Sequence, residues 1–130
     1  MLKAWRFEEP DRVPLEMLTP PWLGKDHFAV EPLEPPPYGD NILAKAKKQV
    51  GTRMLLSGNI VSQAFPIESF KVGDVRDLVK KAIEDGASGG GFTLRTTGGA
   101  VGYGKTKEQC LKSIECGHAL IDAWREFGSY

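Results

Sequence analysis

Cysteine is scarce in this chain. Two thiols cannot make a disulfide framework, so a reducing setting is expected, with the cytoplasm as the corresponding compartment. An excess of charge is also lacking. Seventeen Lys and Arg balance seventeen Asp and Glu, and the densest basic stretch, Lys45, Lys47 and Lys48, reads as the wet face of a helix. Nucleic acid is therefore not an expected partner. No apolar run approaches the length of a membrane span, and the N-terminus has no apolar core of the signal-peptide kind, so no membrane partner is expected. With only two histidines and no recognisable nucleophile–base pair, covalent catalysis has no obvious carrier.

What the sequence does have is glycine, proline and a clear succession of elements. A chain of 130 residues is one domain with room for a real core. Most of the nine prolines fall before residue 40, where they punctuate an N-terminal helix (1–9), a short strand (13–17), an extended connector (18–27) and a second strand (28–33). After the stiff Glu34-Pro35-Pro36-Pro37-Tyr38-Gly39 turn, Asp40 or Asn41 caps a helix running to about residue 49. Met54-Leu55-Leu56-Ser57 then reads as a buried strand and Gly58-Asn59-Ile60 as its loop. Val75, Leu78, Val79, Ala82 and Ile83 mark a helix closed by Gly86. Strand 91–95 and a final helix, from Thr106 to Phe127 with Cys110, Leu111, Ile114, Ile121 and Trp124 along one side, complete a β-α-β-α-β-α pattern of parallel strands.

In such sheets ligands meet the loops at the strands' carboxyl ends, here 34–40, 57–60 and 95–105. Glu34, at a strand end, is the best acid for ligand contact, while Asp40 and Asp74 read as helix caps. Arg95 is placed to pair with a ligand carboxylate or to form a structural ion pair. Gly99-Ala100-Val101-Gly102-Tyr103-Gly104-Lys105-Thr106 satisfies the G-x-x-x-x-G-K-T phosphate-loop spacing, with Gly99, Gly104, Lys105 and Thr106 as the phosphate-binding candidates. Against it, the residues after Thr106 read as one helix, leaving no later strand to carry a magnesium-binding Asp. A glycine-rich loop ended by a Thr cap is the simpler reading. Cys110, Cys116 and His118 fall on different sides of one helix and cannot converge on an ion; Cys110 reads as a core residue and His27 as a surface one.

Several stretches together resemble the uroporphyrinogen decarboxylase superfamily. Pro10-Asp11-Arg12-Val13-Pro14 is similar to its N-terminal opening. Pro32 to Asp40 and Leu56-Ser57-Gly58-Asn59-Ile60 are similar to two later strand ends, Gly89-Gly90-Gly91-Phe92-Thr93-Leu94 to the last strand, and Trp124 to Gly128 to the end of the closing helix. The resemblance implies an α/β fold: a partial (β/α) TIM-type barrel with about four parallel strands and flanking helices. A full barrel takes about 250 residues, so this chain would keep the first strand segment (1–17), a connector (18–27) and the last three βα units (28–130), with strands in the order 2-3-4-1.

The resemblance implies decarboxylation of a tetrapyrrole in porphyrin biosynthesis, a carboxy-lyase reaction run without cofactor, or corrinoid-linked methyl transfer. The family's arginine-rich substrate motif has no match here, and the position of the methyltransferases' late zinc-binding cysteine falls near Gly98. No catalytic residue carries over and no metal is expected, so the domain is expected to be catalytically incomplete alone. Arg12, Glu34, Asn59 and Arg95 are the substrate-binding candidates by loop position. A homo-oligomer, or a partner chain covering the open sheet, is expected because half a barrel leaves strand edges wet. The alternative function is a phosphate- or nucleotide-binding module using the 99–106 loop.

Overall fold

The computed structural model describes residues 12–13, 15–16, 29–30, 42–50, 53, 55–97 and 102–129. In chain order the elements are β1 (Leu15–Glu16), β2 (Ala29–Val30), α1 (Leu43–Val50), β3 (Leu55–Val61), a short 3-10 turn (Ser62–Ala64), α2 (Val72–Gly86), β4 (Phe92–Thr97) and α3 (Lys107–Phe127). The sheet is centred on the parallel β3–β4 pair, in register from Leu56 opposite Phe92 to Val61 opposite Thr97. At its two sides Leu15 and Glu16 lie beside Leu94 and Arg95, and Ala29 and Val30 beside Leu55 and Leu56, giving the order β1-β4-β3-β2.

This corrects the expected barrel segment. Only β3 and β4 have ordinary strand length; β1 and β2 contribute two residues each. Two residues span roughly 7 Å, too little to carry the tilt and stagger that curve a sheet into a barrel wall. The described residues form a small α/β fold with one substantial two-stranded parallel sheet and three helices, not a four-strand TIM-type barrel. The pairing of the first strand with the last is present, as a two-residue contact.

One face of the sheet carries the core. Leu56, Ile60, Phe92 and Leu94 are fully buried, as are Val75 and Val79 of α2 and Cys116 and Leu120 of α3, with Ala82, Ile83 and Ala123 buried beside them. Helix α2 packs against the sheet and against both other helices. It reaches the sheet closely at its end, where Gly86 lies against the Phe92 ring; a Cβ there would meet ring carbons at 2.8–2.9 Å. The α2–β4 turn then uses Gly89, Gly90 and Gly91 at φ of 74°, 69° and 65°, a left-handed run that side chains resist. Lys47 of α1 donates its ammonium to the Gly90 carbonyl and ties the first helix to this turn.

Two elements differ from the sequence reading. β3 continues through Gly58, Asn59 and Ile60, which the sequence marks as a loop, because each is paired with β4. In α3 the buried side is Ser113, Cys116, Gly117, Leu120 and Ala123, whereas Leu111 and Ile114 are 51% and 42% exposed. Small residues let α3 approach α2 closely, and that outweighs the burial its larger side chains would gain. The predicted N-terminal helix, the 18–27 connector and the polyproline turn lie outside the described residues.

Candidate functional site

Because β3 and β4 run parallel, Val61 and Thr97 finish side by side and form the carboxyl edge where α/β folds receive ligands. The edge is stitched by hydroxyls. Ser62 Oγ donates to the Thr97 carbonyl at 2.8 Å, and Thr97 Oγ1 donates to the Ile60 carbonyl at 3.4 Å. Deeper in the ladder, Thr93 Oγ1 donates to Ser57 Oγ at 3.0 Å, and both residues are buried. Side chains alternate along a strand, so the face of β4 opposite Phe92 and Leu94 carries Thr93, Arg95 and Thr97. The sheet therefore has an apolar face against α2 and a polar face away from it.

Asn59 stands opposite Arg95 in the ladder. Asn59 is only 6% exposed, and among the described residues none exchanges a hydrogen bond with its side-chain amide. Arg95 is half-buried and engaged within the chain. The described strand ends, 57–62 and 92–97, hold no histidine, aspartate or glutamate. The edge carries a cation and an amide of the kinds that meet an anionic or carbonyl-bearing group, its hydroxyl protons being donated within the sheet, and these residues supply no general base.

The other candidates fall elsewhere. Arg12 precedes β1 and therefore sits at the opposite, amino edge. Its guanidinium lies 5.2 Å from the Trp124 ring centroid and donates to the Arg125 carbonyl at 2.9 Å and to Ser129 Oγ at 3.3 Å. It closes the carboxyl end of α3, as a cation suits that end of a helix dipole. Glu34 and Gly99 lie outside the described residues.

The described part of the phosphate-loop stretch is folded against its own helix. Thr106 is the N-cap of α3, with Oγ1 accepting from the Gln109 N–H at 3.2 Å, and Gln109 Oε1 accepts from the Lys105 N–H at 2.8 Å. Gly104 is pressed onto the first turn so closely that a Cβ would lie 2.7 Å from the Cys110 nitrogen. Glu108 contributes a carboxylate there, held below its usual pKa by its own backbone N–H and the Thr106 hydroxyl. A phosphate at this helix end would meet a filled cap and a negative charge.

No group of three metal-ligating side chains occurs among the described residues. Cys116 belongs to the core and His118 is exposed; Cys110, read from the sequence as a core residue, is half-buried with its thiol 3.5 Å from the Gly104 carbonyl. Sequence reasoning missed the Ser57–Thr93 hydroxyl pair and the polar face it belongs to. The signal was the period-two run Thr93, Arg95, Thr97 beside Phe92 and Leu94. Comparisons with protein-family models, curated proteins and solved structures found no match to this chain. Among the described residues no helix is long and apolar enough to cross a membrane.

Proposed function

We propose that this chain is a uroporphyrinogen decarboxylase-like binding domain, holding an anionic tetrapyrrole- or corrinoid-type molecule at the carboxyl edge of β3 and β4 without completing the reaction alone. The observation that carries the reading is Asn59 set opposite Arg95 in the ladder, with the polar face of β4 running beneath them. A carboxylate seated there would take charge-assisted hydrogen bonds from Arg95 and a neutral one from the Asn59 amide. The order of family-like motifs in the sequence supports the ligand class. The family resemblance carries over no catalytic residue, so decarboxylation or methyl transfer would need groups from elsewhere. A second copy or a partner chain covering the outer strands would complete the sheet.

The test is titration of a porphyrin tetracarboxylate into the protein, followed by the shift of the porphyrin absorption band. Wild type binds. Arg95→Ala weakens binding by roughly ten- to a hundredfold, the value of a lost charge-assisted hydrogen bond, while its thermal unfolding reports separately on the folded state. A wild-type chain that leaves the band unmoved overturns the proposal. ATP binding that disappears in Lys105→Ala would hand the function to the 99–106 loop instead.

A further inference from the structure

The chain leaves the carboxyl ends of β3 and β4 to enter α2 and α3, on the side of the sheet where α/β folds receive small molecules. There a groove of about 490 Å³ opens between the segment entering α2 and the first turns of α3. Pro66 and Val72 give it apolar surface, and Val72 is exposed. Its charged residues are Lys71 and Lys112 together with Glu68, Glu108 and Glu115.

Both signs are present, yet they are held apart. Lys112 sits on α3 between Glu108, one turn before it, and Glu115, one turn after, at the spacings where a helix pairs opposite charges. Its ammonium instead crosses the groove and donates to the Ile67 and Glu68 carbonyls. Lys71 donates to the same Glu68 carbonyl at 3.3 Å, so the two ammoniums converge on one backbone oxygen. Among the described residues no ion pair joins either lysine to Glu68, Glu108 or Glu115. An ammonium has more protons than these carbonyls take up, and an ionised carboxylate has lone pairs to offer. The groove is therefore dipolar, with its cations drawn to the 67–71 wall and two acids on the α3 wall.

We propose that this groove binds a short peptide with both ends free. Its terminal carboxylate meets Lys71 and Lys112, its terminal ammonium meets Glu108 and Glu115, and an apolar side chain lies on Pro66 and Val72. One lysine side chain bridges the two walls, so the ligand must hold its charges several bonds apart. A di- or tripeptide does so and a free α-amino acid does not. The volume suits a ligand of that size. A ligand of a single sign would meet its own charge on one wall, which selects against it. The groove uses neither Asn59 nor Arg95 and does not rest on the ligand proposed there.

The experiment is titration of leucyl-leucine into isotope-labelled protein, followed by NMR of the backbone amides. Wild type shows saturable shifts at residues 67–72 and in the first turns of α3. Blocking either end of the peptide, as N-acetyl-leucyl-leucine or as leucyl-leucine amide, weakens binding by roughly tenfold, the value of a lost charge-assisted contact. Lys71→Gln and Glu115→Gln then assign the ends. Both residues are exposed, and the amide spectrum of each variant reports whether it is folded. In Lys71→Gln the penalty for amidation shrinks and that for acetylation stays; in Glu115→Gln the reverse holds. A wild type without saturable shifts overturns the proposal. So do blocked peptides or free leucine that bind as tightly as the free dipeptide, or penalties that neither substitution changes. Shifts confined to 57–62 and 92–97 would also overturn it, and would place the peptide's carboxylate at the Asn59–Arg95 edge.

Discussion

At the scale of single residues, the same substitution has opposite consequences within one helix. A Cβ added at Gly73, in the first turn of α2, would have nothing within 4 Å, so Gly73→Ala gains helix propensity and stabilises by up to about 1 kcal/mol. Gly86→Ala, at the other end, drives a methyl into the Phe92 ring and destabilises by about 1–3 kcal/mol. Urea midpoints shifting in opposite directions would check the pair; equal shifts would refute the packing at Gly86. Cys116 gives a second prediction, on pH. Burial pushes its thiol above the usual cysteine value, with smaller contributions from Lys112, which lowers it, and from Glu115 and Asp74, which raise it. The unfolded chain therefore gives up this proton first as pH rises. Stability from the neutral thiol is complete below the unfolded value, near pH 8.5, and is lost as pH climbs through the folded one. Comparing urea midpoints of wild type and Cys116→Ala from neutral to alkaline pH tests this: wild type should lose more. In the native protein at mildly alkaline pH, half-buried Cys110 should react with a thiol reagent before Cys116 does.

At the scale of elements, what the sequence showed clearly is what local chemistry decides. Of the α2 stripe, Val75, Val79, Ala82 and Ile83 are buried as their spacing predicts and Leu78 is partly buried; Thr106 caps α3, while Asp74, read as the cap of α2, lies in its first turn and accepts from the N–H of the cap residue Lys71 at 2.7 Å. What was hidden depends on partners distant in sequence. Gly58 and Asn59 have poor strand propensity, and only their pairing with Leu94 and Arg95 makes them strand. The α3 face was misread for a related reason: a face of Ser, Cys, Gly, Leu and Ala scores weakly for hydrophobicity, yet it permits the closest helix contact. The same limit applies to the candidate site. Arg95 and Asn59 can each be picked out alone, but that they face each other across a ladder is invisible until the register is known. The cap of α3 carries a prediction of its own. Thr106→Ala should cost about 0.5–2 kcal/mol, and Thr106→Ser or Thr106→Asp should retain most of the stability, because the hydroxyl's role is to accept the Gln109 N–H. Equal loss in all three variants, measured by thermal unfolding, would mean the residue has another task.

At the scale of the whole molecule, the chain is held by a clasp between segments more than a hundred residues apart. The Val13 N–H donates to the Gly128 carbonyl at 2.7 Å, and Trp124 Nε1 donates to the Val13 carbonyl at 2.7 Å. Arg12 lies over the Trp124 ring and pairs with Ser129 in an antiparallel bridge. Strand β1 adds only two residues to the sheet, too few to hold their place by ladder bonds alone. Its position beside β4 is therefore set by the clasp at the amino edge, which fixes where the chain enters the sheet. Ending the chain after Phe127 removes the Gly128 carbonyl and Ser129 but leaves Trp124 and every core residue in place. The expected loss is roughly 2 kcal/mol, the sum of a few hydrogen bonds at about 1 kcal/mol each. Arg12→Ala should lose a comparable amount through the ring contact and the Arg125 carbonyl, and combining the two changes should cost less than their sum, because both break one contact set. Amide hydrogen exchange locates the effect: Leu94 and Arg95, beside β1, should exchange faster in either variant, while Val79 and Leu120 should keep their protection relative to global unfolding. Additive losses, or exchange rising uniformly through the core, would show that β1 is held by the sheet and not by the clasp.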